Sequence, residues 1–298
     1  MDGVDLKAQL PAVVAREWGL RVDAVELTIG GMNSLTATVA TTSGRFIAKW
    51  VPAADREGLI RGAHTARAMS DLGIRAGAPA LTRSGAVTTA FLDGELALLE
   101  EVTGVPLSNS QADQADWGSS LATVHAAQPQ SPGAGFYEWL ADNAEDPLHP
   151  RWVREAVAIV YTEYAGLPPL TWALLHTDPA PEAFLRDTAG NIGIIDWTGS
   201  VPGPALYDVA SAVMYAGGEA HARPMLAAYA RVSAMPTTEL HGHLRSLRRL
   251  RAGVQADYFS RRLHQNDLTG VDSTDDNAQG LTDAREMLQS LGVRVGPE

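Results

Sequence analysis

The chain has 298 residues, 23 basic against 35 acidic side chains, a formal net charge of −12 and no cysteine. That length suffices for two compact lobes, the missing cysteines exclude disulfides, thiolate catalysis and a cysteine zinc site, and an acidic surface repels nucleic acid and anionic membrane. No apolar run approaches the roughly 18 residues of a membrane span, and MDGVDLKAQL lacks a basic stretch followed by an apolar block, so a cytoplasmic enzyme with a small-molecule partner is expected.

Residues 5–19 have helical apolar spacing that stops at Gly19. Residues 25–27 read as a strand leading into Ile29-Gly30-Gly31-Met32-Asn33-Ser34, and LTATVATTSGRFIAKWV reads as two strands joined at Ser43-Gly44, the second carrying Lys49. A helix is expected over 54–72, ended by Gly73, and two further strands over 86–91 and 96–100, around Asp93-Gly94. From Thr103 the pattern changes to helices over 111–127, 152–166, 206–216, 222–234, 237–264 and 281–291, with loops at 129–135 and 266–280. The expected fold class is therefore α+β: a β-rich lobe over 1–100, a hinge over 101–106, and a helical lobe over 107–298.

The helical lobe is interrupted by TWALLHTDPAPEAFLRDTAGNIGIIDWTGSVPGPALYD, residues 171–208. Its two short apolar runs, 172–175 and 192–195, read as buried strands or a hairpin, and each delivers an Asp just beyond it, Asp178 and Asp196. Two carboxylates at one cleft edge can divide labour, one taking a proton and the other holding a cation. His176 reads as a packed, hydrogen-bonded core residue. A Gly30-Gly31 turn can bring backbone N–H groups against phosphates, because glycine has no side chain to block the approach. Lys49, flanked by Ala48 and Trp50 on a strand, needs an anionic partner. Glycine turn, strand lysine, hinge, His-x-Asp, then Asp after an apolar strand is the order of the protein-kinase signature set.

On these residues the chain resembles the aminoglycoside phosphotransferase and choline-kinase superfamily of small-molecule kinases, over nearly its whole length. Leu174-Leu175-His176-Thr177-Asp178 looks like the family's catalytic loop and Ile194-Ile195-Asp196-Trp197 like its metal-binding segment. Pro204 to Ala210 (PALYDVA) is similar to its largely structural G-D-P-x-x-D-L-A, residues 98–104 (LLEEVTG) resemble its hinge, and Leu121 to His125 (LATVH) resembles its L-x-x-L-H helix. The resemblance implies a protein-kinase-like two-lobe fold and an ATP-dependent O-phosphotransferase acting on a hydroxyl of an antibiotic, sugar or amino alcohol. It implies Asp178 as catalytic base, Asp196 as Mg²⁺ ligand, Lys49 as phosphate contact, Gly30, Gly31, Asn33 and Ser34 as the nucleotide-binding turn, and the backbone from Glu100 to Val102 as adenine contact.

Two positions depart from the family pattern. The Asn that holds a second metal falls at Ala183, whose methyl cannot ligate Mg²⁺, leaving adjacent Glu182 or water to fill the place. The helix glutamate that pairs the strand lysine falls near Gly62, and Glu57 lies about one and a half helical turns earlier. These gaps motivate an alternative expectation, a pseudokinase that binds nucleotide or a small ligand. Asp257, Tyr258, Arg261, Arg262 and Asp267, in QADYFSRRLHQNDLTG, are the expected acceptor-lining residues.

Overall fold

The computed structural model describes residues 3–28, 34–133, 135–269, 271 and 273–296. In chain order its elements are α1 (Gly3–Glu17), β1 (Val22–Thr28), β2 (Leu35–Thr41), β3 (Gly44–Pro52), α2 (Arg56–Asp71), β4 (Thr89–Phe91), β5 (Gly94–Glu100) and β6 (Val105–Pro106). They continue with α3 (Gln111–Ala127), β7 (Pro129–Gln130), α4 (Trp139–Asn143), α5 (Arg151–Ala165), β8 (Trp172–Leu175), β9 (Phe184–Arg186), β10 (Ile192–Ile194) and β11 (Val201–Pro204). Four helices close the order, α6 (Ala205–Tyr215), α7 (Arg223–Val232), α8 (Thr237–Gln265) and α9 (Thr274–Ser290). The chain divides into two compact units, one of Met1–Leu107 with Glu182–Ser200 and one of Ser108–Pro181 with Val201–Glu298.

The first unit is built on an antiparallel sheet of order β1-β2-β3-β5-β4. Successive side chains of a strand point to opposite faces, and both faces of the central strands are covered. Ala37, Ala48, Trp50, Leu96 and Leu98 pack with Leu6, Leu10, Val13 and Val14 of α1, while Val51 and Ala97 pack with Leu59 of α2. Lys49 stands between Thr36 and Ala97 in the ladder, and its parity places it on the α2 face. Burying each large apolar side chain contributes about 1.5–3 kcal/mol, so the sheet is pinned from both sides around that lysine.

The second unit is mainly helical, with α5, α6 and α9 packed on α8 and α3 on α7. Gly118 makes the last contact close: a Cβ there would sit 2.1 Å from the Met225 carbonyl oxygen. Tyr207 is almost fully buried and meets Phe136 and Tyr137 edge to face at 5.2 and 5.1 Å between ring centroids. Among the described residues no helix is long and apolar enough to cross a membrane.

Three boundaries differ from the sequence expectation. The runs at 172–175 and 192–195 do not pair with each other: β8 lies between β11 and β7, whereas β10 pairs with β9, which pairs with β6. The hairpin that does form is β9–β10, closed by Asp187, whose Oδ1 accepts the N–H groups of Ala189 and Asn191 at 2.9 Å each, an Asx turn that competes well with longer connections. Residues 182–200 consequently belong to the first unit rather than to the helical one. Lastly, the 266–280 loop is only half a loop, because α9 begins at Thr274 under a capping box of Ser273 and Asp276.

Candidate active site

In the second unit, β8 runs into the loop His176-Thr177-Asp178. Asp208, in the first turn of α6 and fully buried, accepts the His176 N–H at 2.7 Å through Oδ2 and the Thr177 N–H at 2.8 Å through Oδ1. His125 Nε2 lies 3.1 Å from the same Oδ2, and its Nδ1 lies 2.8 Å from Tyr229 Oη. A buried carboxylate is stable only when its oxygens are satisfied, and here backbone and imidazole satisfy them. The loop is held against its own preference: Thr177 has φ +71°, a left-handed conformation rare for a β-branched residue. His176 is buried and serves as part of this anchor.

Asp178 stands beyond the anchor with its side chain 62% exposed. Its Oδ1 accepts from Tyr215 Oη at the end of α6 and from Arg251 Nη2 of α8 at 3.2 Å. Arg251, 13% exposed, also donates through Nε to Ser211 Oγ at 3.2 Å. Neither Tyr215 nor Arg251 was among the sequence candidates. A signal existed: Asp208, Ser211 and Tyr215 recur at i, i+3 and i+7, which lays all three on one face of α6.

In the first unit, Lys49 Nζ lies 2.5 Å from Asp196 Oδ1, with the lysine side chain 10% and the aspartate 56% exposed. Asp196 also sits in the left-handed region, φ +67° and ψ +59°, before the 3₁₀ turn Trp197–Gly199. That turn is clamped to α2. Arg61 Nε donates to the Ser200 carbonyl at 2.8 Å, Ser200 Oγ bonds Thr65 Oγ1 at 2.9 Å, and a Cβ on Gly62 would sit 2.7 Å from Thr198 Cα and from the Trp197 carbonyl oxygen. The glutamate expected near position 62 is therefore sterically excluded, Glu57 is exposed, and the lysine takes Asp196 as its anion.

Ala183 is buried and its carbonyl accepts the Ile195 N–H at 2.9 Å. That bond sets the chain at exposed Glu182 beside the chain at Asp196. Mg²⁺ commonly takes one or two carboxylates and completes its shell with water and phosphate oxygens, so an oxygen donor set of Asp196 with Glu182 fits the ion. Among the described residues no cluster of three or more His, Asp or Glu side chains suits a metal.

The other expected residues fall as follows. Ser34 is buried, whereas Gly30, Gly31 and Asn33 lie outside the described residues. In the hinge, the Glu100 N–H bonds the Ala78 carbonyl and the Glu101 N–H the Arg45 carbonyl, while the Val102 N–H has no partner among the described residues. Asp257 does not line an open surface: it is fully buried, accepting from Asn143 Nδ2 at 2.8 Å, with His149 Nε2 at 3.0 Å and Arg261 at 2.9 Å. Arg262 is buried, with Tyr258 Oη and Asp267 Oδ2 each 3.2 Å from its Nη1. These residues fix α4 and the 266–269 turn to α8.

The sequence profile of the phosphotransferase enzyme family matches residues 27–250, and no curated protein matches the chain. Among solved structures the chain is similar to an amicoumacin kinase in complex with AMP-PNP, Ca²⁺ and Ami (15% identity, TM-score 0.72, 97% of this chain and 96% of that one). It is also similar to a choline kinase from Streptococcus pneumoniae (18%, 0.71, 96% and 99%) and to a spectinomycin phosphotransferase in complex with ADP and spectinomycin (13%, 0.67, 96% and 98%). At such identities the likeness is one of fold, the protein-kinase-like fold of small-molecule phosphotransferases. The family match covers most of the chain, which belongs to the phosphotransferase enzyme family.

Proposed function

We propose that the chain transfers the γ-phosphoryl group of ATP to a hydroxyl of a small molecule, with Asp178 as base. The observation that carries this reading is the exposed Asp178 carboxylate, held out by a strained loop whose two preceding N–H groups are tied to buried Asp208. Phosphoryl transfer needs positioning and charge neutralisation more than covalent help. Asp178 orients the acceptor hydroxyl and accepts its proton. Lys49, preset on its strand by Asp196, neutralises phosphate charge, and the Val102 N–H is the donor left for adenine. Asp196 and Glu182 would hold Mg²⁺, which supplies charge neutralisation to the phosphates when bound. The nucleotide similarity of the structural relatives and the ordered strand lysine both support ATP, and ATP chemistry fits a cytoplasmic enzyme.

A second reading, binding without transfer, is favoured by Ala183, whose buried methyl replaces a metal-ligating amide. Thermal-shift titration with ATP, with and without Mg²⁺, followed by ADP release across hydroxylated acceptors, separates the two. A ligand at about a hundred times its Kd stabilises by about 2.7 kcal/mol, so a clear Mg²⁺-dependent rise in Tm together with acceptor-dependent ADP release is expected. A rise in Tm without ADP release supports the second reading, and no response to any nucleotide contradicts the first.

A further inference from the structure

The side chains around Asp178 carry information about the acceptor. An enzyme for polycationic acceptors gains from unpaired negative charge at its base, and here the base carries a cation of its own. Asp178 is matched by Arg251 at 3.2 Å, the only cation in contact with it among the described residues. Asp208 of α6 is fully buried and held by backbone N–H groups and His125, and Asp257 of α8 is fully buried beside Asn143, His149 and Arg261. What remains is the guanidinium itself, held by Ser211 Oγ at 3.2 Å, by Gln255 Oε1 at 3.5 Å and by Asp178. A guanidinium offers more N–H donors than these three bonds use, in a planar fork that suits carboxylate and phosphate.

From this arrangement we propose that the acceptor is a hydroxyl compound bearing an oxyanion, carboxylate or phosphate, which Arg251 recognises while Asp178 receives the hydroxyl proton. The proposal rests on the kinase reading above. Tyr215 and Ser211 fix the geometry: Tyr215 Oη donates to the same Asp178 oxygen as Arg251, and Ser211 Oγ also donates to the Tyr207 carbonyl at 3.1 Å. An ammonium group brought to Asp178 would meet the guanidinium already paired there, whereas an oxyanion would complete its donor set. In the transfer step the acceptor oxygen forms a bond to the γ-phosphorus, the bond from that phosphorus to the β–γ bridging oxygen breaks, and the hydroxyl proton passes to Asp178. A phosphomonoester and ADP result. An acidic chain that must take an anionic acceptor needs one fixed local cation, and Arg251 is placed as that cation.

The test is steady-state kinetics with ATP and Mg²⁺ across matched acceptors: glycerate, gluconate and glycerol phosphate as anions, glycerol and glucose as neutral compounds, choline, aminopropanol and kanamycin as cations. The carboxylates and glycerol phosphate separate the two sources of the oxyanion. The highest kcat/KM is expected among the anions. Arg251→Gln is expected to raise the KM for that acceptor about tenfold to a hundredfold, the scale of a lost hydrogen bond to a charged group, with the KM for ATP unchanged and partial recovery in Arg251→Lys. Best turnover with a cation, no turnover with any anion, or a fall in kcat alone in Arg251→Gln with the acceptor KM unchanged would each overturn the proposal. Silence across the whole panel together with no thermal response to ATP would instead remove the kinase reading on which it rests.

Discussion

Asp208 accepts the backbone N–H of Thr177 at 2.8 Å, one residue before Asp178, so a residue on α6 sets the direction of the base without touching it. Asp208→Asn keeps the size but turns one acceptor oxygen into an amide N–H₂, which must face a backbone N–H of either His176 or Thr177. The cost of one unsatisfied buried donor is about 1–3 kcal/mol. Chemical denaturation is expected to show that loss, and turnover is expected to fall with the acceptor KM little changed, because the loop presenting Asp178 loosens.

Lys49 is nearly buried while its partner Asp196 is largely hydrated. Lys49→Met retains the aliphatic stem against the α2 face and leaves an aspartate that water can still solvate. The unliganded protein is expected to keep its stability to within about 1 kcal/mol, as for a partly exposed ion pair. The Mg²⁺–ATP thermal shift is expected to disappear. Retention of the full shift in Lys49→Met would show that the lysine does not contact phosphate.

Gly62→Glu appears on paper to restore the absent helix acid, yet the structure forbids it. The first side-chain atom would overlap the backbone of residues 197 and 198, and overpacking of this kind costs about 1–3 kcal/mol. The variant is expected to lose stability in denaturant titration and to gain no nucleotide affinity.

Burial pushes the Tyr164 hydroxyl up to about 12, and burial likewise raises Tyr137 and Tyr207. In the unfolded chain these phenols ionise near pH 10. Their folded values lie above the unfolded one, so their contribution is fully present below about pH 10 and is lost as pH rises through the folded values. The denaturant midpoint is therefore expected to fall between about pH 10 and 12, together with a delayed tyrosinate absorbance rise. A midpoint flat across that window would contradict the burial assignment.

Much of this was legible in the chain, for identifiable reasons. Lys49 on its strand and the two aspartates after apolar runs were visible because period-two and short-run patterns report burial directly. The separate partners of β8 and of β10 were not, since strand partners are chosen by long-range packing and by the Asx turn at Asp187. The helical start at Thr274 was hidden behind polar residues that double as loop formers, although Ser273 and Asp276 stood at capping-box spacing. The burial of Asp257 was hidden because a helical aspartate reads alike in sequence whether it faces a ligand or another side chain. Arg251 and Tyr215 went unnoticed because their meeting at Asp178 depends on how α6 and α8 pack.

The most direct measurement compares wild type with Asp178→Ala, reading phosphate transfer from ATP to the acceptor alongside the Mg²⁺–ATP thermal shift. The account predicts that transfer falls about a hundredfold to ten-thousandfold, the usual worth of a positioned base, while the thermal shift persists. Transfer at the wild-type rate in Asp178→Ala would contradict the assignment of that carboxylate as the base.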